Sequence, residues 1–90
     1  MNWDSFKKGE FCINCETLND YFDFLKECKN NGITKWSSER KILENRWLDQ
    51  ANWSSNKENT ILIIKKFKYI EGFMFGNKSK YKKMVKWEIA

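Results

Sequence analysis

The sequence predicts an α+β domain: a mostly antiparallel sheet of four to five strands with one principal helix packed on one face. Three observations lead there. Residues 17–31 repeat their apolar side chains at helical spacing, two later segments are continuous apolar runs of strand length, and the C-terminal segment alternates with period two. The expected order is β-α-β-(α)-β-β-β, and the 90 residues form a single domain, 1–90.

Phe11, Ile13 and Cys15 alternate with Glu10, Cys12 and Asn14, the pattern of a half-buried strand that Gly9 introduces. Thr17 then offers an N-cap, with Asp20 three residues on in the place of a capping-box acid. Leu18, Tyr21, Phe22, Leu25 and Cys28 form one apolar stripe, while Asp20, Asp23, Lys26, Glu27 and Lys29 take the other positions. Asn30-Asn31-Gly32 stops the helix: Gly32 suits a left-handed residue just past the end, and Ile33 supplies the apolar contact beyond it.

Ile33 to Trp36 reads as a short strand or extended piece. The stretch from Glu39 to Trp53 reads as a short helix or a long loop. Leu43, Trp47 and Ala51 are spaced i, i+4, i+8, and Ser38 is placed to cap. Thr60 to Lys66 holds Ile61-Leu62-Ile63-Ile64, apolar on both faces, as an interior strand requires. Tyr69 to Phe75 is alike, with Gly72 and Gly76 marking a bend and an exit. Asn77 to Lys83 is a polar turn. Val85, Trp87 and Ile89 then alternate with Met84, Lys86 and Glu88 as a half-exposed last strand. One helix covers one sheet face, so the apolar second face needs a cover from residues 36–53 or from another molecule.

Composition removes several functions. There is no His, which takes away most zinc sites, Ser–His and Cys–His nucleophile pairs and the usual neutral-pH proton shuttle. No apolar run reaches the roughly 18 residues of a membrane helix, and the first residues have no apolar leader core. Three cysteines without a leader suit a reducing cytoplasm better than a disulfide framework. Cys12 and Cys15 have C-x-x-C spacing, but three Cys and no His fall short of a closed zinc site. Residues three apart on a strand also point to opposite faces. Gly72 and Gly76 make no P-loop, because no Gly-Lys-Ser/Thr follows in register. Asp20, Asp23 and Glu27 lie on one helix surface and read as a solvated acidic face. The chain therefore reads as no enzyme, with no metal and no cofactor.

Binding is better supported. Residues 1–56 carry 8 basic and 9 acidic side chains, and residues 57–90 carry 9 and 3, so the basic excess sits in the last third. Such asymmetry favours an anionic partner, nucleic acid or an acidic protein face. Codon bias competes as an explanation, since Lys outnumbers Arg 15 to 2. Lys78, Lys80, Lys82 and Lys83 surround Tyr81, a pairing of phosphate attraction with a stacking surface. Lys65, Lys66 and Lys68 on the preceding hairpin extend this into a candidate basic edge. Of the five Trp residues, Trp36, Trp47 and Trp53 are candidates for an aromatic interface or a homodimer seam, against the alternative of completing a small core.

The strand ending Cys15-Glu16-Thr17, the amphipathic helix, Gly32-Ile33-Thr34-Lys35-Trp36-Ser37, Glu58-Asn59-Thr60 and Lys86-Trp87-Glu88 together carry a resemblance. The chain resembles small accessory proteins of phages and prophages of low-GC Gram-positive bacteria. It departs from them at Ser38, where Gly is expected, and in a longer 39–57 connection. The resemblance supplies no site residue. It supplies no activity either and implies an accessory gene of a virus or mobile element; from that gene type, an anti-defence role of the anti-CRISPR kind is expected, in the cytoplasm of an infected bacterial host. The leading expectation is an inhibitor that binds a host defence effector protein or ribonucleoprotein. The alternatives are a small nucleic-acid-binding or regulatory phage module, and a homodimeric sponge for an anionic nucleotide signal.

Overall fold

The computed structural model describes residues 1–67, 70–81 and 83–89, and within residues 66–74 only the backbone of 66, 67 and 70–74. It is the α+β fold expected, with a four-stranded sheet. A helix absent from the sequence reading comes first, α1 (Trp3–Lys7), whose N-terminus is capped by Asn2 Oδ1 accepting from the Ser5 N–H at 3.1 Å. Five residues are too few to hold a helix alone. It persists because Trp3 and Phe6, one turn apart, pack on Phe24, with ring centroids 5.8 and 5.5 Å away.

The principal helix, α2 (Leu18–Asn30), forms as its sequence dictates. Thr17 Oγ1 accepts the Asp20 N–H at 3.1 Å. At the other end Gly32 takes a φ of 85°, which lets the Ile33 N–H reach the Cys28 carbonyl at 2.9 Å and the Gly32 N–H reach that of Lys29 at 3.2 Å. This is the paired closure that a left-handed glycine permits. Phe24 joins the buried stripe of Tyr21, Phe22, Leu25 and Cys28, because α1 and Trp87 cover its flank.

Residues 33–43 depart from the simple strand expected over Ile33–Trp36. They fold back on themselves: the Trp36 N–H donates to the Arg40 carbonyl at 2.8 Å and the Ile42 N–H to that of Thr34 at 3.0 Å. A single bridge joins Lys35 to Lys41, outside the named strands. The second helix of the 39–53 reading starts later than Ser38 would place it, as α3 (Arg46–Ser54), with Asn45 Oδ1 accepting the Leu48 N–H at 3.2 Å. The side this helix buries is not the Leu43-Trp47-Ala51 stripe. Leu43 lies outside the helix, and Trp47 and Ala51 face solvent while Asp49 is buried.

The sheet runs β3 (Ile70–Asn77), β2 (Thr60–Phe67), β1 (Cys12–Asn14), β4 (Met84–Lys86). The first two pairings are antiparallel, and β4 is parallel to β1. Because β1 is interior, Cys12, Ile13 and Asn14 are all buried, where period two alone suggested one exposed face. The last strand ends at Lys86 and its three residues are exposed; Trp87 instead packs on Phe24 and donates its Nε1–H to Asp23 Oδ2 at 2.9 Å.

Register assigns the two sheet faces. Ile13 pairs with Leu62, and with Ile64 they meet the helices. Ile61 pairs with Asn14 and Gly76 on the opposite face. β3 and β4 both run parallel to β1, so the chain must recross the sheet between them. That crossover covers this face at Ile61 and Cys12: Tyr81 lies beside Gly76 and Ile61, and the Lys83 carbonyl accepts from the Cys12 N–H at 3.1 Å and Sγ at 3.3 Å. Ile61 and Cys12 are consequently buried. From residues 36–53, Trp36 and Ile42 join the core on the helix side, with Leu62 and Ile64.

Candidate interaction surface

One buried side chain organises the region around the interface candidates. Asp49 on α3 accepts the Trp36 Nε1–H and an Arg40 Nη1–H on Oδ1, both at 2.9 Å, and the Leu43 N–H on Oδ2 at 2.8 Å. Its backbone carbonyl accepts the Tyr21 hydroxyl at 2.8 Å. Burial, reinforced by the Asp49 charge, pushes the Tyr21 hydroxyl far above the ordinary tyrosine range. A buried carboxylate is tolerated when its acceptor sites are filled and a cation lies against it. Asp49 meets both conditions, and it ties the 36–43 loop to α2 and α3.

This arrangement divides the three candidate tryptophans. Trp36 is buried, spent on Asp49 and on the guanidinium of Arg40, whose Cζ lies 5.9 Å from the ring centroid. Trp53 is half-buried and donates to the Cys15 carbonyl at 3.0 Å, pinning α3 to the end of β1. Both therefore have partners within the fold. Trp47 is 75% exposed.

The surface around Trp47 follows from the helix turn. With Asp49 inward, Trp47, Gln50, Ala51 and Ser54 fall at i, i+3, i+4 and i+7 on the outward face, and all four are exposed. They line a shallow depression of about 240 Å³. The face carries no charged side chain, in a chain that is 32% charged. The two charged residues of α3 are used elsewhere: Asp49 is buried, and the Arg46 guanidinium lies 3.9 Å above the Phe22 ring. Leu48, 37% exposed, borders the patch. A large rigid aromatic beside small uncharged neighbours is the composition of an interface centre.

The basic residues fall into two places. Thr60 pairs with Asn77 and Lys65 with Gly72, so Lys65 and the backbone of Lys66 lie five ladder steps, about 17 Å, from the start of the crossover. The crossover then returns toward the Lys65 end, since the Lys83 carbonyl bonds the Cys12 N–H, one step beyond the Ile13–Leu62 pair. Lys68 and Lys82 lie outside the described residues. On the crossover Lys80, Tyr81 and Lys83 are exposed and Lys78 is half-buried. Tyr81 is 37% exposed while covering Ile61, so only part of its ring is presented.

Cys12 and Cys15 lie on opposite sheet faces, as their spacing on a strand requires, and all three cysteines are buried free thiols. Burial pushes the Cys15 and Cys28 thiols well above their ordinary range, which makes them poor nucleophiles and ligands. Among the described residues no three His, Cys, Asp or Glu side chains converge as a metal site would require. The acidic surface of α2 has a structural use: Asp23 holds Trp87, and Asp20 Oδ1 accepts the Ile89 N–H at 3.3 Å. Among the described residues, no helix is long and apolar enough to cross a membrane.

Helical spacing carries the signal for the Trp47 face: Asp49 and Trp53, four apart, share a side of α3 that Trp47, two before Asp49, does not. No protein-family model, curated protein or solved structure matches this chain.

Proposed function

We propose that this protein is a non-enzymatic accessory protein of a phage or mobile element that inhibits a host defence effector by binding it, with Trp47 as the anchor of the contact. The binding part of this reading rests on one observation: a tryptophan three-quarters exposed on a helix face without charge. Leaving an indole in water costs the free protein apolar hydration that a partner's pocket removes. The defence part rests on the short sequence resemblances to phage accessory proteins. Lys80 and Lys83 add attraction toward an anionic effector or its nucleic acid, which acts on association rate and salt dependence more than on anchor energy.

Binding of purified host effector complexes to the immobilised protein tests this reading. Trp47→Ala is expected to weaken binding by about 30-fold or more, the scale of an anchoring residue. Equal affinity of the variant and the wild type would exclude α3 as the contact. A second reading, direct nucleic-acid binding, is favoured by exposed Lys80, Tyr81 and Lys83 on the crossover. It requires that free nucleic acid binds with a steep salt dependence and that Trp47→Ala leaves this binding unchanged.

A further inference from the structure

Asn31-Gly32, at the end of α2, is the sole Asn-Gly pair in the sequence. Gly32 stands there because the backbone past the helix turns left-handed, with a φ of 85°. Its missing side chain also leaves the Gly32 nitrogen unshielded toward the Asn31 carboxamide. A backbone nitrogen so placed is able to attack the Cγ of the preceding side chain and close a five-membered ring. Three features of the folded chain hold this reaction off. The Gly32 N–H donates to the Lys29 carbonyl at 3.2 Å. The Asn31 Nδ2 donates to the Glu27 carbonyl at 2.8 Å, which keeps the carboxamide against the helix. Ring closure also needs the Gly32 nitrogen on the side of the Asn31 Cβ, and a ψ of 18° at Asn31 turns it away.

All three features belong to the closing turn of α2, and helix ends open at lower cost than the body of a fold. Gly32 is exposed and Asn31 half-buried, so water reaches the bond once the turn opens. Every other asparagine precedes a residue whose side chain crowds the attacking nitrogen.

We propose that Asn31 is a modification site, deamidated without an enzyme through those states in which the closing turn of α2 is open, with water as co-reactant. The Gly32 nitrogen gives its proton to hydroxide and bonds to Asn31 Cγ. The Cγ–Nδ2 bond then breaks, and Nδ2 takes a proton from water and leaves as ammonia. A second water adds to either carbonyl of the cyclic imide and breaks one of its two C–N bonds, giving aspartate or isoaspartate at position 31. The net charge of +5 falls by one. The product does not restore the closure. Its carboxylate has no hydrogen for the Glu27 carbonyl and lies at the negative end of the helix dipole. The isoaspartate backbone is longer by a methylene, which displaces the Gly32 and Ile33 N–H groups from the Lys29 and Cys28 carbonyls.

The test incubates the full chain at mildly alkaline pH, folded and in guanidinium chloride. Mass spectrometry of the tryptic peptide that follows Lys29 and ends at Lys35 reads the conversion, and its fragments separate Asn31 from Asn30. Amide hydrogen exchange at Gly32 and Ile33 measures the opening independently. In guanidinium, Asn31 is expected to convert before any other asparagine. In the folded chain it is expected to convert more slowly by roughly 5- to 150-fold, the population factor of two ordinary hydrogen bonds. Asn31→Asp, which carries the product's charge, is expected to speed exchange at Ile33 by roughly 2- to 12-fold, the factor of one such bond. Another asparagine converting first in guanidinium overturns the proposal, as does no conversion at all. Equal rates in the folded and unfolded chains overturn it too, as does a folded chain that never converts although its Gly32 amide exchanges. Exchange unchanged by Asn31→Asp would remove the effect on the helix end.

Discussion

The indole N–H of Trp36 donates to the carboxylate of Asp49 at 2.9 Å, inside the protein, across thirteen residues of chain. The same oxygen holds Arg40, and the second oxygen holds the Leu43 N–H. One side chain thus fastens the 36–43 loop to α3, beside the loop's own backbone bonds at Trp36 and Ile42. Its loss leaves two donors and a guanidinium without their acceptor, so Asp49→Ala is expected to cost about 3–5 kcal/mol. Asp49→Asn keeps the shape and a single carbonyl acceptor, and a smaller loss is expected. Urea unfolding of both variants measures it; losses under about 1 kcal/mol for the alanine variant would deny Asp49 this role.

Trp47 contributes little to the fold in this arrangement. Trp47→Ala is expected to change unfolding free energy by no more than about 0.5 kcal/mol, as for other exposed positions. The other four tryptophans are buried or half-buried. Trp47→Phe is therefore expected to remove most of the fluorescence that iodide quenches in the folded protein. Quenching that persists unchanged would place the indole inside.

The thiols set an alkaline limit. Cys15 and Cys28 keep their protons well above the ordinary value of 9.0 because burial disfavours the thiolate. The unfolded chain releases those protons once pH passes about 9, while the folded chain retains them. Their contribution to stability is thus fully present below pH 9 and is lost as pH rises above it, by up to about 1.4 kcal/mol per pH unit for each thiol. The Tyr21 hydroxyl, also raised, adds to the decline above about pH 10. Urea midpoints measured under reducing conditions at pH 7.5, 9 and 10.5 follow this; a midpoint constant across the series would contradict it.

The crossover lysines are expected to act at long range. Lys80→Ala with Lys83→Ala should leave the fold intact, since both side chains are exposed. It should also reduce the salt dependence of effector binding while Trp47→Ala reduces the affinity at every salt concentration. Association rates measured at two ionic strengths distinguish the two effects.

Much of the frame was legible because local and global signals agree there. Thr17, Gly32 and the stripe from Leu18 to Cys28 define α2 without any tertiary knowledge, and Ile61 to Ile64 could only be an interior strand. What escaped depended on contacts distant in sequence. The five residues of α1 have no periodicity to detect and are held by Phe24. Cys12 and Asn14 are buried because β4 and the crossover arrive from some seventy residues away. The candidate surface was half legible: Trp47 was singled out, but Trp36 and Trp53 shared its composition and differ only in what their N–H groups reach. A buried Asp on a helix is contrary to the usual burial preference. The spacing of Leu43, Trp47 and Ala51 suggested the helix but not its inward side, which Asp49 takes.

The central claim is that a charge-free helix face carrying Trp47 lets this protein disable a host defence effector. Phage plaquing on a defence-competent host that expresses the protein tests it most directly. Wild-type protein is expected to restore plaquing to the level of a host without the defence system, and Trp47→Ala to fail at equal expression. Restoration by Trp47→Ala equal to that of the wild type, or no restoration by the wild type against any defence system of the host, would contradict the claim.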